Sequence, residues 1–402
     1  MKEKVPVWAA LLIGVCLAAA IVFAVATLSG LASVPAAEPE VKEYSASDKL
    51  NEAMKVIDTY FVGDMDEDKA ADGAVAGVVD SLGDHWSYYI SADEMQAYLN
   101  DSENKYDGIG IVIRKNDEGG ILITNVYGVS PAATAGMQAG SVIYIVDGTD
   151  VTDYTLDEAK SVIAEGIARG RVELTVTEPD GVERTFSLVP GKVEVIPVEY
   201  SMMDGGVGYI RIENFKARSG DLAVEAVESL RAQGAKGLIF DVRNDPGGNL
   251  NELLKILDYL LPEGTLFISR TKGGEQVRQY SKASCVEMPM VVLVNSESYS
   301  AAEFFAAALS EYGWADLVGE KTTGKGYAQT TVGLSDGSAI HISIEEYFTP
   351  NGVSLAGTGV TPDLEVPVSD EEFELLYFDL LPPEDDTQLQ AAASLLAGQI
   401  TP

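Results

Sequence analysis

From residue 208 onward, short apolar runs alternate with longer stretches of helical periodicity, and this alternation constrains the fold more than any other feature of the chain. Strand-like runs at 208–212, 237–242 and 290–295 are separated by helical stretches at 222–233, 250–260 and 301–311. Leu238-Ile239-Phe240 and Val291-Val292-Leu293-Val294 contain no polar position, as buried strands require. The pattern predicts an α/β domain with a partly parallel sheet. In such sheets chemistry gathers where strand ends meet loops and helix starts.

The 402 residues leave room for two or three globular units. Between 105 and 190 the pattern changes to short β-rich runs at 109–114, 121–126, 142–146, 172–177 and 184–189, with Asp147-Gly148 and Asp180-Gly181 as turns. One helix interrupts them, opened by a capping box of Thr155 and Glu158. This segment predicts a small antiparallel domain with a helix on one face. Upstream, Leu50, Met54, Ile57 and Phe61, then Ala74, Val75, Val78, Val79 and Leu82, recur at helical spacing and predict two amphipathic helices, the second ending at Gly83. Ser91 with Glu94 predicts the cap of a third. Past residue 368 the tail is acidic, and Leu389, Ala392, Ala393 and Leu396 give it a helical period suited to docking or to a dimer contact.

After Lys2, Glu3 and Lys4 no charge appears until Glu38, and residues 7–28 are almost purely apolar. A run of about 20 such residues is enough to cross a bilayer. A retained anchor is the preferred reading; Ser33-Val34-Pro35-Ala36-Ala37 supplies the small residues that a cleaved signal would use. Basic residues at the start favour a cytoplasmic N-terminus, which puts everything after residue 30 outside the cytoplasm on a single-pass cell-membrane protein. The expected organisation is a cytoplasmic segment 1–6, an anchor or uncleaved signal 7–29, a linker 30–46, a helical region 47–100, a β-rich domain 101–190, the α/β domain 191–368 and an acidic helical tail 369–402.

Charge and rare residues exclude several functions. With 27 Lys+Arg against 63 Asp+Glu, the net charge of −36 repels phosphate backbones and anionic headgroups, so nucleic acid is not an expected partner. The two histidines, His85 and His341, and two cysteines, Cys16 and Cys285, match no zinc-site spacing, and no metal or cofactor is expected. Cys16 lies in the apolar run, so Cys285 lacks a partner and reads as a small buried hydrophobe.

Three segments carry candidate chemistry. Asp241-Val242-Arg243-Asn244-Asp245-Pro246-Gly247-Gly248-Asn249 follows a buried strand, and paired glycines leave backbone N–H groups uncovered for an oxyanion, although a plain turn looks similar. Asn295 to Glu303 places Ser300 at a helix start, near N–H groups that favour negative charge; read alone, Ser300 is a helix N-cap. Lys325 stands between Gly324 and Gly326, which let the backbone tuck its side chain inward, and Gln329 follows four residues on, on the same face. A lysine becomes a usable base when burial lowers its pKa from about 10.4 towards neutrality; read alone, this segment is a glycine-flanked surface lysine.

Together, Ser298-Tyr299-Ser300-Ala301-Ala302-Glu303 after a Val-rich strand, and Lys325 to Gln329 beginning 25 residues past Ser300, resemble the C-terminal processing peptidases, serine peptidases of family S41 with a Ser-Lys dyad. Asp72-Gly73-Ala74, Asp84-His85-Trp86-Ser87-Tyr88-Tyr89, Gly208 to Ile212 and Tyr347-Phe348-Thr349-Pro350-Asn351-Gly352 follow in the family's order. Tyr106 to Ile111, Ser130-Pro131-Ala132-Ala133 and Ile143 to Gly148 resemble a PDZ domain of bacterial proteases, with Ser141 where Asp is common. The resemblance implies a crotonase/ClpP-like ββα core with an inserted PDZ domain. It further implies Ser300 as nucleophile, Lys325 as general base, Gln329 orienting it, and oxyanion donors from Ala301 and from Gly247 or Gly248. Gly108, Ile109, Gly110 and Ile111 would form the loop that holds a substrate's C-terminal carboxylate. Tyr299 departs from the family's small residue before the nucleophile, and Glu303 reads as a hydrogen-bonding neighbour. The implied partners are proteins or peptides with exposed C-termini, and a homodimer is compatible with the family. The alternative reading is a catalytically silent, membrane-anchored PDZ scaffold. Scarcity of histidine independently favours Lys325 as base: His341 falls in an alternating strand-like run and His85 has no nucleophile near it in sequence.

Overall fold

The five residues Met290–Val294 are all buried because their side chains alternate between two cores. In the computed structural model, which describes residues 45–400, this strand lies within a six-stranded sheet. Its order is Val198–Met203, Val207–Ile212, Gly237–Asp241, Met290–Val294, Ala315–Gly319 and Leu364–Glu365. The first pair is antiparallel and every later pair parallel. Leu238, Phe240, Met290, Val292 and Val294 face the helices Ser219–Ala232, Leu250–Leu260 and Ala301–Glu311. Ile239, Val291 and Leu293 face the other way, onto Leu389, Ala392 and Leu396 of the tail helix Thr387–Ile400. The helical period read in the tail therefore docks against its own chain and forms the third layer of this core.

A second sheet pairs the long strand Ala339–Phe348 with Tyr88–Ile90, Thr265–Thr271 and Tyr327–Gly333, and Gln276–Tyr280 extends it. His341 lies in that strand, as the alternation predicts.

The β-rich segment forms its own core around Ile121, Ile123, Ile143, Val172 and Leu174. Its sheet runs Ile111–Lys115, Ile121–Val126, Val142–Val146, Val172–Thr177 and Glu183–Leu188, with Thr149–Asp150 beside the third strand. The helix Leu156–Ala168 opens on the expected box: the Thr155 side chain accepts the Glu158 N–H, and Glu158 accepts the Thr155 N–H. The first strand starts at Ile111 rather than at residue 109, because Ile109-Gly110 form the preceding loop. A two-stranded ribbon, Lys105–Gly108 with Gly191–Glu194, joins this domain to the rest.

Upstream, the predicted helices are Ala46–Tyr60, capped by Ser45, and Glu67–Asp80. The third helix departs from expectation. Glu94 accepts the Ser91 N–H, but the helix begins at Met95, with no side-chain bond from its N-terminal residue. Cys285 is a free thiol and only half-buried, because the segment around it carries no regular structure. Among the described residues no helix is long and apolar enough to cross a membrane; the expected anchor at 7–29, the segment 1–6 and nearly all of the linker 30–46 lie outside them.

Candidate active site

Three loops leave the C-terminal ends of three neighbouring parallel strands, Gly237–Asp241, Met290–Val294 and Ala315–Gly319, and meet. They are the three segments singled out above. Asn244 and Asn295 exchange hydrogen bonds: the Asn244 N–H donates to Asn295 Oδ1 at 2.9 Å, and Asn295 Nδ2 to Asn244 Oδ1 at 2.8 Å. Ser298 Oγ donates to the Val242 carbonyl at 2.7 Å, and the Tyr299 N–H to the Asp245 carbonyl at 3.1 Å. Arg243, buried beneath the first loop, braces it from below. Its guanidinium spans Asp241 at 2.6 Å and Asp386 at 2.7 Å, and donates to Gln388 Oε1 at 3.1 Å.

Ser300 is not the N-cap that the segment alone suggests. Its backbone stands at φ 60°, ψ −119°, and its side chain makes no capping bond. A non-glycine residue in that region carries strain of about 1–3 kcal/mol, which neighbouring structure must hold in place. The effect is to lift the hydroxyl off the helix end and into a cleft of about 710 Å³ that it shares with Lys325. The Ala301 N–H, first in the helix Ala301–Glu311, is one of the donors a helix start leaves without an intrahelical partner.

Lys325 is brought there by backbone contacts. Glu303, fully buried, accepts the N–H of Gly324 at 2.6 Å and of Lys325 at 3.0 Å, together with the Thr322 hydroxyl and the Ser300 N–H. Glu303 is thus the hydrogen-bonding neighbour expected, and it ties the Ser300 and Lys325 backbones to one carboxylate. The flanking glycines are required by close approach: a Cβ on Gly326 would lie 2.5 Å from the Ala356 backbone N, and one on Gly324 2.9 Å from the Gly359 N. Burial, opposed in part by the charges of Asp84 and Glu303, brings the Lys325 amine down from 10.5 to about 8.

The two oxyanion candidates separate. The Gly247 N–H donates to Asp245 Oδ1 at 2.7 Å and is occupied, whereas the Gly248 N–H has no backbone acceptor among the described residues. Gly247 still serves by its lack of a side chain, since a Cβ there would lie 2.7 Å from both the Ala301 N and Ser300 Cβ. Gln329 lines the same cleft, but its amide donates to the Tyr327 carbonyl at 2.8 Å and to Ser343 Oγ at 2.9 Å. Ser343 in turn hydrogen-bonds Asp84, whose charge acts on Lys325, so Gln329 reaches the lysine's surroundings at second hand.

Three residues of this site were not assigned roles from sequence. Tyr347 donates its hydroxyl to the Lys325 carbonyl and lies in hydrogen-bond reach of the Ser300 side chain; burial first, then Glu303, pushes its phenol well up. Asp84 and Trp86 come from the loop before Tyr88–Ile90, more than two hundred positions from the nucleophile. An acid and an aromatic two positions apart in a polar loop were the available signal. His85 is exposed and packs edge-on to Trp86, with ring centres 4.9 Å apart.

In the β-rich domain, Ile111–Lys115 ends the sheet order and so has a free edge, with the helix Leu156–Ala168 packed nearby. Gly108 belongs to the ribbon, paired with Gly191, while Ile109 and Gly110 turn the corner into Ile111. An open strand edge that begins at a glycine-containing loop is what peptide capture by strand addition needs.

Fold and cleft together define a serine peptidase carrying a PDZ domain. Residues 206–366 match Peptidase family S41, residues 98–177 a PDZ domain, and residues 18–94 the N-terminal domain of the activating protease CtpB. The chain is 32% identical to the carboxy-terminal processing protease CtpA of Bacillus subtilis (strain 168) over 340 residues, 83% of this chain and 72% of that one. It is 30% identical to a CtpA-like serine protease of Staphylococcus haemolyticus (strain JCSC1435), covering 79% of this chain and 64% of that one. Among solved structures, the photosystem II D1 C-terminal processing protease is 26% identical with a TM-score of 0.50, covering 88% of this chain and 94% of the other. A Bacteroides fragilis protein assigned to the S41 proteases shares the fold, with a TM-score of 0.58 at 20% identity, over 90% of this chain and 100% of that one. The chain belongs to peptidase family S41, the carboxy-terminal processing serine proteases.

Proposed function

We propose that this peptidase cuts by a Ser300–Lys325 dyad and that its PDZ domain delivers protein C-termini to the cleft. The observation that carries the dyad is a lysine amine, lowered to about 8 by burial, in the cleft that holds the strained Ser300. Neutral Lys325 takes the Ser300 proton as Oγ attacks the scissile carbonyl. The N–H groups of Ala301 and Gly248 receive the oxyanion, and the lysine returns its proton to the leaving amine. Water then hydrolyses the acyl-enzyme with the same base. Gln329 acts as a positioning residue through Ser343 and Asp84. Substrate C-termini add as a strand along Ile111–Lys115, with the carboxylate at the Gly108 to Ile111 loop. Residues 7–29 anchor the chain in the cell membrane with the catalytic part outside the cytoplasm, a reading supported by Lys2, Lys4 and the uncharged run that follows.

The test offers the purified protein an unstructured polypeptide with an apolar C-terminus, once with a free carboxylate and once amidated. Cleavage of the free form, abolished in Ser300→Ala while binding persists, supports the proposal. Equal cleavage of the amidated form removes the PDZ delivery step, and binding without proteolysis in the unaltered enzyme would restore the scaffold reading.

A further inference from the structure

Lys325 is half-buried at the edge of the cleft, and its amine has an aromatic neighbour. It sits over the Trp86 ring, 4.4 Å from its centre, and that ring also packs on Tyr299, the residue before the nucleophile, with centres 5.6 Å apart. The large Tyr299 thereby acquires a purpose: it gives the Trp86 ring a second wall. Beside the ring is Asp84. Its carboxylate accepts the Trp86 N–H at 3.1 Å and the Ser87 hydroxyl at 2.5 Å, and bonds Ser343. The Ser343 N–H donates to Ser87 Oγ at 3.0 Å, which pins this loop to the long strand. We propose that Asp84 and Trp86 are positioning residues for the Lys325 base, Trp86 covering the amine and Asp84 supplying its counter-charge. The proposal rests on the dyad reading.

A ring face over a cation attracts it, which favours the protonated amine, and keeps water from it, which disfavours that form; at Lys325 burial is the larger effect. An opposite charge nearby favours the protonated amine. The two residues therefore pull in opposite directions: removing water lowers the amine's proton affinity, and the carboxylate raises it. The burial of Asp84 pushes its own carboxyl up, but its hydrogen bonds and the lysine's charge outweigh this and hold it below the ordinary carboxylate range, so it is ionised. The other groups facing Lys325 are Glu303 from the nucleophile's helix, and His341 and Tyr347 from the long strand. Arg270, Lys272, Glu345 and Glu346 line a second hollow together with Asp84.

The experiment measures, in the full chain, the pH profile of kcat/KM on one peptide, and the pH midpoint of Lys325 acylation by acetic anhydride, read by peptide mapping. In Asp84→Asn both the acidic limb and the acylation midpoint move down by roughly one pH unit. Well below the original limb, kcat/KM then rises about tenfold. In Trp86→Ala both move up as water returns to the amine, and Trp86→Phe brings them back. Opposite displacements from two residues of one short loop are not produced by a loop that merely scaffolds. A fall in plateau rate with limb and midpoint unmoved overturns the proposal and leaves the dyad intact. A midpoint that moves while the limb stays supports the contact and overturns the dyad instead.

Discussion

The carboxylate of Glu303 accepts the main-chain N–H of Lys325 at 3.0 Å, although the two residues sit on separate elements of the core. The same acid takes the Gly324 and Ser300 N–H groups and the Thr322 hydroxyl, so it is surrounded by donors. In Glu303→Gln the new amide NH₂ must face at least one of them. Urea unfolding is expected to show a loss of about 1–3 kcal/mol, with kcat down more than KM is changed, because the displaced loop carries the base. Wild-type stability in this variant would remove Glu303 from its organising place.

Activity should climb with pH through the Lys325 amine, near 8, since only the neutral amine accepts the serine proton. On the proposed dyad the acidic limb belongs to that group and to neither histidine. The double variant His85→Ala, His341→Gln is expected to keep the shape of the profile of kcat/KM. Loss of the limb in it would assign the base elsewhere.

Replacing Lys325 by Arg keeps the charge and removes the neutral state, Arg having a pKa above about 12. Its activity is expected to fall about 10² to 10⁴-fold, level with Lys325→Ala; circular dichroism checks that the variant is folded. Arg at near wild-type rate would end the dyad.

The same lysine burdens the fold. Its folded pKa, about 8, lies below its ordinary 10.5, so between these values the unfolded chain binds more protons and stability rises with pH. Below 8 both states are protonated and the penalty is fully present. Lys325→Met should therefore raise stability near pH 7 by about 1–3 kcal/mol, and its advantage should shrink as the pH approaches 10.5. Thermal melts across pH measure both, and a destabilised Met variant would contradict the burial of the amine.

Two glycines at nearly the same φ separate backbone strain from site geometry. Gly247 is at φ 85° and Gly352 at φ 81°, but a Cβ on Gly247 would lie 2.7 Å from Ser300 Cβ while one on Gly352 meets nothing within 4 Å. Gly352→Ala should cost about 1 kcal/mol and leave kcat/KM unchanged. Gly247→Ala should abolish cleavage. Equal activity in the two would show that the oxyanion loop tolerates displacement.

Local signals and distant contacts were not equally legible. The strands 290–294 and 121–126 and the helices 250–260 and 301–311 could be read because apolar period, glycine breaks and capping boxes are written into neighbouring residues. Only resemblance singled out Ser300 as a candidate nucleophile, since its residue type at a helix start predicts a cap and its φ of 60° is imposed by the surrounding loops. The pair Gly247-Gly248 looked interchangeable; only a contact not written in the local sequence, the hydrogen bond from the Gly247 N–H to Asp245, distinguishes them. Trp86 and Asp84 could not be placed against Lys325 at all, because sheet register across more than two hundred residues brings them together.

Arg243 under the oxyanion loop draws part of its anchorage from Asp386 and Gln388, about 145 positions later in the chain. During synthesis the sheet, Ser300 and Lys325 all emerge before those acceptors exist. Until residue 388 arrives, the guanidinium in the loop's underside is incompletely paired, a state that typically destabilises by about 3–5 kcal/mol. The loop that carries Gly247 and Gly248 therefore gains its full support only when the later segment has packed beneath it. The same dependence runs in reverse. The shape of the cleft thus depends on a segment that lines no part of it: with Asp386 and Gln388 withdrawn, the loop that carries Gly247 and Gly248 would keep only the Asp241 half of its buried anchorage.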